Sequence, residues 1–261
     1  MTDITFHDAE AAARLADVRA ELVEHFRAAW EWEAVPCVMC GPKQASSLLV
    51  VKDGIDVRRC EACGHVFVSP RLPEAAVGEL YGNAYWDIYS QAIGSPSLRD
   101  RVRFDYENGF GKLRRDILPF RQRGRLLDVG ASNGGLVRAA RESGFSAEGL
   151  EPSAEICELS RDLQGVDLYC GDIRDGHFTP ESFDIITMHD VLEHVFEPFE
   201  VLVACRKVLA PRGIVVVETP TTDALDAVKD FEEWECMSPL EHVHLFSEAN
   251  LAELFHRADL K

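Results

Sequence analysis

The chain is expected to be an α/β protein, a doubly wound parallel sheet preceded by a small β subdomain and a helical N-terminus. Three observations predict this. From about residue 121 onward, β-type runs alternate with helix-type runs, the pattern of parallel strands joined by crossover helices. The first of these runs, "RLLDVG" at 125–130, ends in a glycine turn that opens a helix. Upstream, two Cys-x-x-Cys-Gly repeats sit among short β-type runs, a layout suited to a metal-stapled subdomain.

The elements follow in order. Residues 8–31 read as a helix, with Leu15, Val18, Leu22 and Phe26 on one face, and Pro36 ends the region. Residues 37–69 hold the β-type runs "SSLLVV", "IDVRRC" and "HVFVSP". Residues 71–97 carry Pro, Gly and aromatics, an irregular stretch in which "YGNAYW" at 81–86 could wall an acceptor site. Residues 98–120 return to a helical pattern that stops near Pro119. Strands are then expected at 125–130, 146–152, 166–171, 183–190 and 213–220, with helices at 134–143, 153–163 and 197–209. Right-handed crossovers would wind these into an open sheet that binds ligands at the carboxyl ends of its strands. The division is an N-terminal helix (1–35), a metal ribbon (36–70), a helical linker or acceptor lid (71–120) and a nucleotide-binding core (121–261).

Composition bounds the function. With 261 residues, 46% hydrophobic and 28% charged, the chain can build a real core. No run reaches the ~20 apolar residues of a membrane span. The first thirty residues lack the basic head and apolar stretch of a secretory signal, so the expected compartment is the cytoplasm. A net charge of −18 disfavours nucleic acid as a partner. One stretch, Arg99 to Arg125, is locally basic, either as a solvated helix face or as a rim for an anionic acceptor.

Cys37-x-x-Cys40 and Cys60-x-x-Cys63, with nineteen residues between the pairs, fit a four-thiolate zinc site. The glycine after each pair lets the backbone bend so that amides face the sulfurs. Four thiolates fill a tetrahedron, so His65 is left out and no position remains for a catalytic water. The site is read as structural, with iron as the alternative ion. Cys157, Cys170, Cys205 and Cys236 are expected to be buried thiols scattered through the core.

The glycine turn runs Asp128-Val129-Gly130-Ala131-Ser132-Asn133-Gly134-Gly135. Its spacing is not the G-x-G-x-x-G of dinucleotide folds, and Asp128 would repel a pyrophosphate. Glu151 ends the next strand, where a carboxylate can accept both hydroxyls of a ribose. A nucleoside bearing a cation and no phosphate suits this set, and S-adenosylmethionine is such a ligand. The runs "LLDVGASNGG", "GLEPS", "GDI" and "FDIITMHDVLEHV" resemble the successive motifs of class I S-adenosylmethionine-dependent methyltransferases, over roughly residues 110–255. The resemblance implies that Gly130, Ala131, Ser132 and Gly134 line the methionine part, with Asp128 near its ammonium. It places Glu151, followed by Pro152, on the ribose. It sets Asp172 on the adenine amine with Ile173 against the ring, and His189 and Asp190 beside the cofactor. Ser132-Asn133 stands where that family more often has Gly and Thr or Ser.

Methyl transfer needs an acceptor placed against the methyl group and often a base. The candidates are His194 in "DVLEHV" and Glu241 and His242 in "SPLEHVHLFS", with His244 nearby and a helix cap expected at Ser247 with Asn250. Glu193 and His194, adjacent in a helical turn, are expected to point apart, and extended backbone would put His242 and His244 on one face. With the cysteine pairs, the core resembles zinc-containing sugar C-methyltransferases and glycan-associated zinc-ribbon methyltransferases. The sugar enzymes carry Tyr-His-Glu-His at the acceptor, whereas this chain has Pro239-Leu240-Glu241-His242. The implied function is methyl transfer to a small acceptor such as a nucleotide-linked, anionic sugar. The alternatives are an RNA methyltransferase with a zinc-ribbon RNA-binding domain and a non-catalytic module binding the cofactor or a partner protein. The family fold normally closes with two further strands as an antiparallel hairpin, which this sequence does not contain. A sheet ending on "GIVVVE" would then have an open edge.

Overall fold

The computed structural model describes residues 9–80, 98–232, 234 and 236–261, and the aromatic run at 81–86 lies outside them. The larger sheet contains β4 (Arg125–Val129), β5 (Ser146–Glu151), β6 (Tyr169–Cys170), β7 (Phe183–His189) and β8 (Leu209–Glu218). All are parallel, in the order β6-β5-β4-β7-β8. The chain therefore runs outward from β4 to one edge and then returns to fill the other side. The strand order reverses between β4 and β7, the position where doubly wound sheets bind ligands.

Alternation along the strands divides the core into two layers. Leu126 and Ile185 face one side, against α4 (Gly135–Glu142), α5 (Ala154–Gln164) and the end of α3 (Leu98–Lys112, continuing as a π-turn over Leu113–Ile117). Leu127, Val129, Ile186 and Met188 face the other, against α6 (Pro198–Val208) and α8 (Glu248–Arg257). Burial on both faces is why these strands read as nearly continuous apolar runs. Leu127 is fully buried, worth about 1.5–3 kcal/mol relative to exposure. Helix ends follow local chemistry. Ser153 Oγ accepts from Ile156 N–H at 3.3 Å to start α5, and Gly165, at φ +66°, ends it. Ser247 and Asn250 form the expected cap of α8 as a reciprocal pair.

The smaller sheet is antiparallel, in the order β1 (Ser46–Lys52), β2 (Ile55–Cys60), β3 (Val66–Val68) and β9 (His244–Leu245). Asp53 and Gly54 both have positive φ, the requirement of a two-residue hairpin turn between β1 and β2. The last strand comes from far along the chain: Val66 pairs with Leu245 and Phe67 with His244. The cysteine-bearing sheet is thus completed by the segment that carries Glu241 and His242. Helix α1 (Ala9–Ala29) lays Val23 and Phe26 over Ile55, Val68 and Leu240. Strand β8 is the edge of the parallel sheet among the described residues. No helix among them is long and apolar enough to cross a membrane.

Candidate functional site

The loop after β4 and the tip of β5 are one unit. Asp128, buried at the switch point, accepts a 2.7 Å hydrogen bond from Thr187 Oγ1 on β7. Burial pushes its carboxyl above the ordinary range. Gly130 has φ +71°, and a Cβ there would lie 2.5 Å from Val191 Cγ2, so both conformation and space demand glycine. Ser132 N–H donates to Glu151 Oε2 at 3.1 Å, and Ser153 N–H donates to Oε1 at 3.1 Å. Glu151 is 8% exposed, and burial raises its pKa against the pull of those two amides. Asn133 Nδ2 donates to Asp105 Oδ2 at 2.6 Å while its Oδ1 accepts from Gly135 N–H at 3.3 Å. The asparagine therefore ties the loop to α3.

The remaining nucleotide candidates spread along neighbouring strand tips. Asp172 caps the short turn Ile173–Asp175 and takes Arg174 N–H, Nε and Nη2, the last two at 2.8 Å. Arg174 holds it below the usual carboxylate range in spite of partial burial. Ile173 is buried in the core under α6, and Pro152 is exposed. On the other side of β4, His189 Nε2 lies 3.3 Å from Asp116 and 3.8 Å from Glu218, carboxylates that Arg115 also bridges. Asp190 is exposed at φ +56°, its N–H on Glu218 O at 2.9 Å. A cleft of about 340 Å³ opens beside Asp116, Glu218 and Thr219 at the β8 edge.

A second cluster forms where two turns meet beyond β7. Residues 191–194 make a single turn, closed by His194 N–H on Val191 O at 3.0 Å, rather than the start of a helix. Residues 238–242 make another, with the N–H groups of Glu241 and His242 both on Ser238 O. The His194 and His242 rings meet edge to face at 4.6 Å. Each donates Nδ1–H to a backbone carbonyl, His194 to Glu241 O at 3.1 Å and His242 to Cys236 O at 2.7 Å. Glu193 does not point away. It is 1% exposed, its Oε2 accepts from Thr219 at 2.8 Å, and its Oε1 lies 3.9 Å from His194 Nε2. Burial pushes Glu193 and Glu241 up to about 7 and His194 down to about 3, and lowers His242. His244 diverges from His242 because extended backbone begins only at residue 244; it packs instead against His65 Nε2 at 3.2 Å, near Arg71. Thr219 and Asp105 were not singled out from the sequence, and Glu193 was read only as pointing away from His194.

The four cysteines converge as their spacing predicts. Cys37, Cys40, Cys60 and Cys63 bring their sulfurs within 4.8 Å of one another, with Cys37 and Cys63 at 3.7 Å. A tetrahedral zinc ion with ~2.3 Å bonds holds its sulfurs about 3.8 Å apart. Gly41 N–H on Cys37 O and Gly64 N–H on Cys60 O close the two knuckles, each glycine at φ above +70°. Burial drives the Cys37 thiol strongly up, while the Cys63 and Ala62 amides hold Cys60 down against its burial. The cluster is consistent with a zinc ribbon.

Residues 104–261 match the family model described as a methyltransferase domain. Curated relatives include ubiquinone biosynthesis O-methyltransferases of Haemophilus ducreyi, 29% identical over 54% of this chain, and of Neisseria meningitidis, 28% over 45%. Those matches cover 61% and 50% of the relatives, so the chain spans roughly half to three fifths of their length. A methyltransferase structure from Archaeoglobus fulgidus superposes with TM-score 0.52 at 16% identity, over 67% of this chain and 73% of that one. One from Thermotoga maritima gives TM-score 0.50 at 19% identity, over 66% and 80%. With its parallel sheet, glycine loop and matched span, the chain belongs to the methyltransferase-domain family of class I S-adenosylmethionine-dependent methyltransferases.

Proposed function

We propose that this chain transfers a methyl group from S-adenosylmethionine to a hydroxyl of a small acceptor, a nucleotide-linked sugar being one candidate. The observation that carries the reading is the clamp between Glu151 and the Ser132 amide beside the strand-order reversal. It leaves a buried carboxylate with acceptor capacity at the place where a ribose would lie. When bound, S-adenosylmethionine supplies a methyl group on a sulfonium. Gly130, Ala131, Ser132 and Gly134 would line its methionine part, and buried Asp128 would face its ammonium. Asp172 and Ile173 would take the adenine end, Asp172 with the lone pairs Arg174 leaves. His189 and Asp190 would flank the cofactor from the β7 side. Zinc would be held by the four cysteines in a structural role.

The turns at 191–194 and 238–242 form the acceptor end. A base working near neutral pH is best matched by a group that titrates there. Glu241, pushed up to about 7, meets that condition better than His194, pushed down to about 3. Glu241 would take the hydroxyl proton while the histidines position the oxygen. Similarity to O-methyltransferases supports oxygen as the methylated atom. The RNA alternative is weakened because arginines of the basic stretch are already engaged: Arg101 with Asp105, Arg103 with Glu107, Arg115 with Asp116 and Glu218, and Arg125 with Glu148.

Calorimetry with S-adenosylmethionine and its demethylated product tests the reading. Glu151→Ala removes charge-assisted hydrogen bonds worth about 1.5–3 kcal/mol, so affinity should fall roughly 10- to 100-fold. Unchanged affinity would remove the ribose assignment.

A further inference from the structure

We infer that Cys157 and Cys170 form a dithiol site that a low-molecular-weight disulfide converts to an internal disulfide. Both residues meet at the tip of β5, beside Glu151. Cys170 ends β6 and pairs in register with Glu151. Cys157 lies in the first turn of α5, its N–H on Ser153 O at 3.0 Å. The two sulfurs reach successive carbonyls of one strand end. Cys157 Sγ donates to Glu151 O at 3.3 Å, and Cys170 Sγ lies 4.0 Å from Pro152 O. The two thiols also interact directly with each other. Their access to solvent differs sharply. Cys157 is 5% exposed, whereas Cys170, expected from the sequence to be buried, is exposed. Burial, and then the neighbouring Cys170, pushes the Cys157 thiol up to about 12.

This asymmetry sets the order of events. Thiolates attack disulfides, and access decides which one attacks first. Cys170, open to solution, attacks one sulfur of the reagent, forms a mixed disulfide and expels the other half as a thiol. Cys157 is shielded from the reagent and held against Cys170, so it reacts within the chain. It gives up its proton and attacks the Cys170 sulfur, and the second half of the reagent leaves as a thiol. One S–S bond of the reagent breaks and one S–S bond of the protein forms. The two cysteine protons end on the released thiols, and two electrons pass to the reagent. The consequence for the cofactor rests on the methyl-transfer reading. Glu151 O accepts from Cys157 Sγ–H and from Gly171 N–H at 3.1 Å, while its carboxylate accepts from the Ser132 and Ser153 amides. Closure removes the thiol donor and ties the first turn of α5 to β6. Ser153, which opens that turn, then moves against Glu151, and the ribose contact weakens. Formation of the disulfide does not depend on that reading.

The test treats the full, zinc-loaded chain with oxidised glutathione and maps its thiols by alkylation and mass spectrometry. The expected result is a cross-linked Cys157–Cys170 peptide pair, with zinc retained and the fully buried Cys205 still reduced. Cys157→Ser keeps a donor for Glu151 O and should stop the reaction at one glutathione on Cys170. Cys170→Ser should leave Cys157 unmodified. A native circular dichroism spectrum establishes that each variant is folded. A reduced pair after prolonged exposure, glutathione on Cys157 in the Cys170→Ser chain, or cross-links confined to the ribbon cysteines would each overturn the site. Calorimetry with S-adenosylmethionine on the same samples separates the two ideas. Oxidation should weaken binding roughly 2- to 10-fold, the loss expected of one neutral hydrogen bond, and a reducing agent should restore it. The Cys170→Ser chain should show no such change. Equal affinity in the reduced and cross-linked chains refutes the coupling to Glu151. A chain that forms the disulfide but binds no cofactor in either state refutes the methyl-transfer reading and leaves the dithiol site standing.

Discussion

Four thiols reach a common point from one stretch of 27 residues, Cys37 to Cys63, each pair set on its own glycine turn. Glu193, His194 and His242 meet across a separation of almost fifty residues, on two turns that only the completed fold brings together. The first cluster is local geometry, in which spacing alone places two sulfurs on one side of a knuckle. The second is assembled, and its geometry depends on the glycine loop packed under one turn and the small sheet that anchors the other. Strand β9 pairs with β3 just after His242, so the local cluster braces the assembled one.

That dependence sets the largest expected effect. Cys60→Ser should release the ribbon, because structural zinc contributes about 10–16 kcal/mol of apparent binding energy in small metal domains. Loss should extend to the second cluster: Asn250 Nδ2 donates to Cys63 O at 3.1 Å and Val68 N–H to Val243 O at 3.0 Å. Hydrogen exchange should therefore rise at residues 238–246 as well as 37–68. Faster exchange confined to the ribbon would show that the two clusters are independent. A smaller effect is expected from Gly130→Ala. The left-handed conformation costs about 1–2 kcal/mol with a Cβ, and Val191 must also move. Since Val191 opens the turn carrying Glu193 and His194, thermal unfolding and the chemical shifts of both histidines should change together. A drop in stability with unchanged histidine shifts would disconnect loop from cluster.

The same distinction explains what could be read from the sequence. The order of five parallel strands, the three crossover helices, the cap at Ser247 and the four cysteines all rest on periodicity or short spacing, and all are present, with the first, second and fourth strands close to their expected bounds. The third strand shrank to Tyr169–Cys170, since an edge strand needs few ladder bonds, and the fifth began earlier, at Leu209. Glu193 was misread because a helical turn was assumed where a single turn forms, and adjacent side chains in such a turn can converge. His242 and His244 were placed on one face by the same kind of assumption; the turn from Ser238 separates them. Thr219 and Asp105 had no local signal. Each acts on a residue at least 26 positions away.

Asp128 offers a gentler probe of the legible half through pH. Its folded-state pKa is raised by burial above the ordinary value of 3.8, with His189, Thr187 and Lys112 pulling the other way. For an acid shifted upward, the associated stability is fully present below the unfolded value and is lost as pH rises through the folded one. Asp128→Asn keeps the Thr187 hydrogen bond and removes the titration. The stability difference between variant and wild type should therefore grow in the variant's favour as pH rises from about 4 toward neutrality. Wild-type affinity for the cationic cofactor should increase more steeply over the same interval than the variant's, in which Glu151, also shifted upward by burial, still titrates. A pH-independent difference in melting temperature would mean that Asp128 does not titrate there.

The smallest effect belongs to the basic stretch. Arg103 and Glu107 pair at 2.8 Å one helical turn apart, with side chains 89% and 58% exposed. Water and salt screen such a pair, so it contributes little to stability. Arg103→Ala should then leave the unfolding midpoint indistinguishable from wild type, and leave zinc content and cofactor affinity unchanged. The substitution also separates the two readings of residues 99–125. If this arginine serves only to balance Glu107 on a solvated face, turnover on an anionic acceptor is unaffected at any ionic strength. If it belongs to a rim that gathers such an acceptor, KM rises at low salt and the difference fades as salt is added, because steering by exposed charge is screened over a Debye length of about 10 Å at 0.1 M. The ion pair with Glu107 favours the first outcome, since one carboxylate already cancels the field that a rim would need.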